Sequence, residues 1–187
     1  ATTNNGYVNN NGSYQYSGFS GTSVTVASDK ITSTVTDDML WEAETSGSGF
    51  AFKNVSKGQY LNAFYNGGNA NNGVRFGDSP ETWIYNNSKL MHEAVSNANA
   101  SKDYYLTWDT TGDVSGGIKS GNADLFTIRS TGDTVTLYVV NGDVTDVPGG
   151  DVEEPPVTPD PDAVNGTFTK VSSIENGKTY VITAEDM

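Results

Sequence analysis

Cysteine is absent from this chain of 187 residues, and His92 is its only histidine. The lack of cysteine excludes thiol nucleophiles and thiolate metal sites. With one histidine and no Gly-x-Ser-x-Gly turn, the usual nucleophilic constellations cannot be assembled, and no phosphate-binding or dinucleotide-binding glycine motif is present. We interpret His92 as a structural residue, and the sequence predicts a protein that is not an enzyme.

Basic residues are also scarce. Ten Lys and Arg face 23 Asp and Glu, which gives a net charge of -13 and a pI near 4.2. A protein that binds a phosphate backbone needs a basic face, so nucleic acid is excluded as a partner, and anionic lipid surfaces are disfavoured for the same reason. No run of about 20 apolar residues occurs, so the sequence predicts no membrane insertion.

What the chain does contain is a repeat. Trp41, Trp83 and Phe126 are spaced about 42 residues apart, within short alternating apolar and polar segments separated by Gly and Asn turns. Three units of this size predict an all-β protein with a β-trefoil-like fold of three pseudo-repeats. A β-sandwich is the alternative, since the same alternation allows it. A three-bladed propeller would fall below the usual minimum of about four blades.

Residues at equivalent positions of the repeat are predicted to form the core, because threefold packing explains why the same residue type recurs there. The first set is Trp41, Trp83 and Phe126, and the second set is Tyr60, Tyr105 and Tyr180.

The sequence divides into three parts. Residues 1–146 are predicted to form the β-trefoil-like module, and residues 147–166 an acidic, Pro-rich linker. Residues 167–187 resume β-strand alternation. We expect this tail either to begin a next repeat or to complete the trefoil, in its own chain or by strand exchange between copies.

Aromatic residues make up 11% of the chain and are its main chemical resource. A sugar ring stacks its apolar C–H face on a flat aromatic side chain, while neighbouring Asn or Asp bonds the hydroxyls. The candidates are aromatics that the repeat does not require, with their polar neighbours. These predicted carbohydrate-binding residues are Trp108, Tyr65, Asn66, Asp109, Tyr14 and Tyr16.

Trp108 is the strongest of these candidates, because its counterpart in the first unit is Ala63. The competing interpretation is that Trp108 packs inward beside Leu106, two residues away on the same face of a strand.

One acidic loop is a candidate calcium site. Asp109 and Asp113 flank a Gly turn and offer the oxygen ligands that calcium prefers. The loop lacks the alternating ligands of an EF-hand, so a plain hairpin turn is the favoured interpretation and no cofactor is predicted. The other paired carboxylates are interpreted as acids of turns and strand surfaces.

The aromatic spacings also resemble those of a known group of proteins. The segments Trp41-Glu42-Ala43-Glu44, Thr82-Trp83-Ile84-Tyr85 and Tyr105-Leu106-Thr107-Trp108 look like β-trefoil-like modules in surface proteins of gut Clostridia, including modules appended to secreted nucleotidases and modules of the ruminococcal starch adherence system. The resemblance spans residues 6–140 and 167–187.

This resemblance implies a secreted or cell-surface, non-catalytic carbohydrate-binding module, with starch or another α-glucan as the leading ligand. It assigns no ligand residue, because the matched positions are those predicted to be core. The alternative is a structural repeat or adhesin spacer with no ligand of its own, strung in tandem on acidic linkers.

Overall fold

The computed structural model describes residues 7–8, 14–16, 19–64, 73–98, 102–109, 113–114, 118–119, 125–141 and 163–184. These residues form eighteen strands, one 3₁₀ turn and one short helix. The strands of the first half are β1 (Tyr7–Val8), β2 (Tyr14–Tyr16), β3 (Phe19–Ser20), β4 (Val26–Ala27), β5 (Lys30–Ile31), β6 (Leu40–Ser46), β7 (Gly49–Asn54), β8 (Tyr60–Phe64) and β9 (Gly73–Gly77). Those of the second half are β10 (Trp83–Asn86), β11 (Lys89–His92), β12 (Tyr105–Asp109), β13 (Asp113–Val114), β14 (Ile118–Lys119), β15 (Leu125–Arg129), β16 (Val135–Asn141), β17 (Thr167–Val171) and β18 (Thr179–Ala184). The 3₁₀ turn is Asp37–Met39, and the helix α1 is Glu93–Ala98.

Fourteen of these strands belong to one antiparallel sheet. Its order is β3-β15-β12-β11-β10-β7-β6-β18-β16-β17-β5-β4, and the hairpin β8-β9 is attached to β7. Two small hairpins, β1-β2 and β13-β14, stand apart from it. The protein is therefore all-β, as the sequence predicts, with one open antiparallel sheet as its framework.

The C-terminal tail lies inside this sheet rather than at its edge. β18 pairs with β6 on one side, where Tyr180 is opposite Trp41, and with β16 on the other, where Tyr180 is opposite Val139. β17 pairs with β16 and β5. Residues 147–162 of the predicted linker lie outside the described residues, and the chain is described again from Ala163, which bridges to Thr36. The tail thus joins the N-terminal and central strands of its own chain.

The main core collects the large side chains on one face of the sheet. Trp41, Trp83 and Phe126 are all buried in it, which confirms the first set of predicted core residues. Its members are Phe19, Trp41, Ala43, Phe52, Leu61, Ala63, Val74, Trp83, Leu90, Val95, Tyr104, Leu106, Phe126, Ile128, Val135, Leu137, Tyr180 and Ala184.

A second core lies on the opposite face of three neighbouring strands, β6, β18 and β16. Its members are Ile31, Val35, Met39, Leu40, Tyr138, Val140, Phe168 and Val181. Because adjacent residues of a strand point to opposite faces, Tyr180 enters the main core and Val181 the second core. The tail strand is therefore buried on both faces.

The hairpins β6-β7 and β10-β11 each pair a buried tryptophan with a buried polar residue. Trp41 is opposite Asn54 in the first, and Trp83 is opposite His92 in the second. The turn of the second is formed by Asn87 and Ser88, both with positive φ, as a two-residue hairpin of type I′ requires. Phe126, the third member of the sequence repeat, differs because its strand β15 pairs with β12 and β3.

Within the described part of the chain, no helix has the length and apolar character needed to cross a bilayer.

The docking of the tail can be tested with Tyr180→Ala. Tyr180 is 1% exposed and its hydroxyl accepts the Glu175 N–H at 2.8 Å. Removing a buried aromatic ring costs about 3–5 kcal/mol, so we expect the free energy of unfolding in urea to fall by that amount. The matched control is Lys178→Ala, an exposed position two residues away, with an expected change within about 0.5 kcal/mol. Equal stabilities of the two variants would contradict the docked position of the tail.

Candidate functional site

Trp108 lies on the core-facing side of β12, near the end of the strand. It is opposite Phe126 on β15, and the two rings meet edge to face with centroids 5.0 Å apart and planes at 66°. Trp108 packs against the main core but remains partly exposed, whereas Leu106 on the same face is buried. The inward packing considered from the sequence is therefore present, and Trp108 is nevertheless only partly buried.

Phe126 is one of five aromatic side chains that lie next to one another. We call Trp108, Phe126, Phe19, Trp41 and Phe76 the aromatic row. Phe126 is opposite Phe19 in the sheet, and the Phe19 ring lies 4.6 Å from that of Phe76 and 5.9 Å from that of Trp41. The Trp41 and Phe76 rings are nearly parallel, at 18°, with centroids 6.0 Å apart. Trp108 and Phe76 are its partly exposed members.

A cavity lies within the aromatic row. It is lined by Phe19, Trp41, Leu61, Leu106, Phe126 and Ile182. Its volume is about 20 Å³, which accommodates roughly one water-sized group. The lining side chains are mainly apolar. A sugar ring therefore does not fit this cavity, and a carbohydrate would have to bind on the surface beside it.

The remaining predicted binding residues are placed only in part. Tyr65 and Asn66 lie outside the described residues. Tyr14 and Tyr16 belong to β2, where Tyr16 is opposite Tyr7, and Asp109 is the last residue of β12. Their side chains lie outside what the structure describes, so their part in a site with Trp108 stays a prediction.

The calcium candidate is likewise unplaced. Asp109 ends β12 and Asp113 begins β13, and the side chains of both lie outside what the structure describes. Among the described residues, no three His, Asp or Glu side chains are grouped closely enough to hold a metal ion.

His92 is a buried residue with both ring nitrogens bonded. Its Nδ1 accepts the Val95 N–H at 3.1 Å, so the ring proton is on Nε2, which donates to Glu81 Oε2 at 2.8 Å. The same carboxylate oxygen accepts the Ala63 N–H at 2.7 Å. The Trp83 ring meets the imidazole edge on at 4.7 Å. This arrangement connects β11, α1 and β8, and it gives His92 the structural role that the sequence suggests.

Asn54 occupies the corresponding place in the first hairpin. Its Nδ2 donates to the carbonyls of Asp38 and Leu40 at 2.9 and 3.1 Å, and its Oδ1 accepts the Lys57 N–H at 3.0 Å. Like His92, it therefore caps the backbone N–H three residues further along the chain. Each tryptophan of the two hairpins is thus opposite a buried polar side chain whose hydrogen bonds are made.

The second set of predicted core residues is only partly correct. Tyr180 is buried, but Tyr60 and Tyr105 are half-buried and their hydroxyls bond to surface carboxylates. The Tyr60 hydroxyl donates to Glu44 at 2.9 Å, and the Lys53 ammonium lies 5.7 Å from the centre of its ring. The prediction that Tyr60 and Tyr105 belong to the core is wrong, because their repeat positions lie near strand starts where the ring tip reaches solvent.

Tyr105 is packed by two neighbours, Lys89 and Gly132. The Lys89 ammonium lies 5.5 Å from its ring centre, and Gly132 approaches so closely that any side chain there would overlap the ring. With φ at +40°, Gly132 also adopts a backbone conformation that favours glycine. The face of Tyr105 is therefore committed to packing, which leaves Trp108 as the better platform for a ligand.

Phe19 and Phe76 were missed by the sequence analysis. Phe19 follows a segment rich in Gly, Ser and Tyr with no clear alternation, and Phe76 sits in a short strand beyond the Tyr-Leu-Asn motif. The only available signal was their size, since a large aromatic ring is commonly buried in part.

Comparison of the chain with protein-family models, curated proteins and solved structures found no match. The evidence for the candidate site is therefore the arrangement of its own residues.

The importance of the His92 network can be tested with Glu81→Gln. The substitution keeps the shape of the side chain but makes both hydrogen bonds neutral, so we expect the free energy of unfolding to fall by about 1–2 kcal/mol in a urea titration. Glu42→Gln, at an exposed position of β6, serves as the control and should change little. An unchanged stability of Glu81→Gln would show that the network does not hold these elements together.

The environment of Tyr60 can be tested by titration. The hydrogen bond to Glu44, followed by burial and by the charges of Glu44 and Glu42, raises the pKa of Tyr60 above its ordinary value of about 10. These interactions favour the protonated phenol, so Glu44→Gln should lower the pKa of Tyr60 toward that value. NMR titration of the Tyr60 ring signals measures it. Glu42→Gln removes only the smallest contribution and should give a smaller decrease; an equal decrease would assign the effect to general charge rather than to the hydrogen bond.

Proposed function

We propose that the protein is an extracellular, non-catalytic carbohydrate-binding module for a neutral polysaccharide, with an α-glucan such as starch as the leading ligand. The observation that carries the proposal is the partly exposed indole of Trp108, which is held in place by an edge-to-face contact with Phe126. A ring held in one orientation offers a flat apolar face to a sugar without the entropic cost of ordering a side chain on binding.

The charge of the chain supports a neutral ligand. At a net charge of -13 the protein repels uronic and sulfated glycans over the range of its electrostatic field. The site is shallow, because the neighbouring cavity holds only about one water-sized group. We therefore expect binding to be weak and to use stacking on Trp108, with Tyr65, Asn66, Asp109, Tyr14 and Tyr16 as the sequence-based candidates for further contacts.

We also propose that the sheet is a divergent β-trefoil-like arrangement. Support comes from the hairpins β6-β7 and β10-β11, in which Trp41 and Trp83 are opposite Asn54 and His92, and both polar side chains cap the backbone three residues onward. Tyr60 and Tyr105 follow in register as well, since each is opposite the residue that precedes the capping side chain. A β-sandwich is the alternative for the same all-β class.

The second candidate function is a structural repeat or adhesin spacer without a ligand of its own. The specific observation that favours it is the position of the tail strand β18 in the middle of the sheet, which makes the C-terminal segment part of the framework. This function makes no demand on Trp108 beyond packing.

Calorimetric titration with maltooligosaccharides separates the two functions. We expect the wild-type protein to bind, and Trp108→Ala to weaken binding at least about tenfold, because the stacking surface is lost. The matched control is Tyr60→Ala, another half-buried aromatic, whose ring is instead committed to Lys53 and Glu44. Unchanged affinity of Trp108→Ala would move the site elsewhere, and no binding of the wild type to maltooligosaccharides or to a glycan array would favour the spacer function.

A further inference from the structure

The segment 163–184 contributes two strands to the sheet, β17 and β18, which lie on either side of β16. β18 is inserted between β6 and β16, and β17 lies between β16 and β5. Phe168, Tyr180, Val181 and Ala184 are each less than a tenth exposed. The slot between β6 and β16 is thus a site for a strand that fills two cores at once.

Specific polar contacts fix the register of this segment. Asn176 Oδ1 accepts from the Thr45 N–H at 2.7 Å and from its hydroxyl at 3.1 Å. The Ala43 N–H donates to the Lys178 carbonyl at 2.9 Å, and the Gly177 N–H donates back to the Ala43 carbonyl at 2.7 Å. A turn at residues 175–178 therefore docks on β6 before β18 begins.

The covalent connection to this segment is far longer than its position requires. Asn141 at the end of β16 is directly opposite Thr167 at the start of β17. A hairpin between such neighbours needs about 2–5 residues, whereas the chain supplies residues 142–166. This connection carries seven acidic residues, no basic residue and five of the six prolines of the chain. Residues 142–162 precede the docked segment, and a Pro-rich chain of that length could reach roughly 65 Å at about 3.1 Å per residue.

We propose that the slot between β6 and β16 accepts the segment 163–184 of a second copy of this chain, so that copies are joined by strand exchange. The contacts made in trans are the same as those made in cis, so the two forms differ mainly in the effective concentration of the tail. A tight hairpin turn would have to open before the tail could leave its own chain. The long connection needs no such opening, so the tail can reach its own slot or that of a neighbouring molecule, and a high protein concentration favours the second.

The test uses two full-length chains, one carrying Glu42→Cys and the other Thr179→Cys. These positions are opposite each other across β6 and β18, at a separation suited to a disulfide, and the natural chain has no cysteine to interfere. The two variants are unfolded together in urea, refolded at high protein concentration and oxidised. We expect disulfide-linked heterodimers at a yield at least about tenfold above a control mixture of Glu42→Cys with Lys170→Cys. Lys170 is exposed on β17, opposite Tyr138 on β16, and does not face β6.

A single chain carrying both Glu42→Cys and Thr179→Cys completes the design. If it forms its internal disulfide while the mixed variants link no more than the control, the tail serves only its own chain and the proposal is overturned. If neither forms the disulfide, the register between β6 and β18 is wrong and the proposal falls with it. Light scattering of the untagged wild type provides the second readout: dimers that increase with protein concentration during refolding support exchange, and a monomer at every concentration contradicts it.

Discussion

The structure depends on a strand that is far from its neighbours in the sequence. β18 closes the sheet between β6 and β16, and these three strands separate the main core from the second core. Burial of an apolar side chain contributes about 1.5–3 kcal/mol, and β18 places apolar side chains on both of its faces. A strand at the edge of a sheet could be lost with local fraying, whereas removal of this one would leave two clusters open to water and two rows of backbone groups unpaired.

Buried polar side chains set the geometry around the tryptophans. Asn54 and His92 each bond a backbone N–H three residues onward, which directs the chain out of the hairpin at the same point in both units. A buried polar group that lost its partners would cost about 1–3 kcal/mol, so these bonds restrict how the hairpins pack. His92 and Asn54 thus cap the backbone in the same way with different side chains. The only histidine of the chain is therefore explained by a structural role.

The main features of the core could be predicted because they repeat. Even spacing identified Trp41, Trp83 and Phe126, and spacing is a property that sequence records directly. It does not record how far along a strand the core extends, which is why Tyr60 and Tyr105 were assigned wrongly. The consecutive apolar run Tyr180-Val181-Ile182 did carry a signal of burial on both faces. The partners of that run could not be predicted, because the pairing of β18 with β6 and β16 is decided by packing over long sequence distances.

The candidate site was predictable only as an exception to the repeat. Trp108 was singled out because symmetry did not require it, and in the structure its ring packs against Phe126 and the main core while staying partly exposed. Such a ring contributes to stability, and under the proposed function its exposed part is the surface on which a sugar would stack. One stacked ring leaves little net free energy after the costs of association, so a module of this kind gains useful affinity mainly through several linked copies. Strand exchange would provide that linkage in the same segment that completes the core, since the tail that stabilises one copy would also tether the next. The proposed function and the proposed exchange are independent in their evidence, but physically they reinforce each other: a shallow site gains from an array of linked copies, and a strand that is buried on both faces and follows a long acidic connection can link the copies.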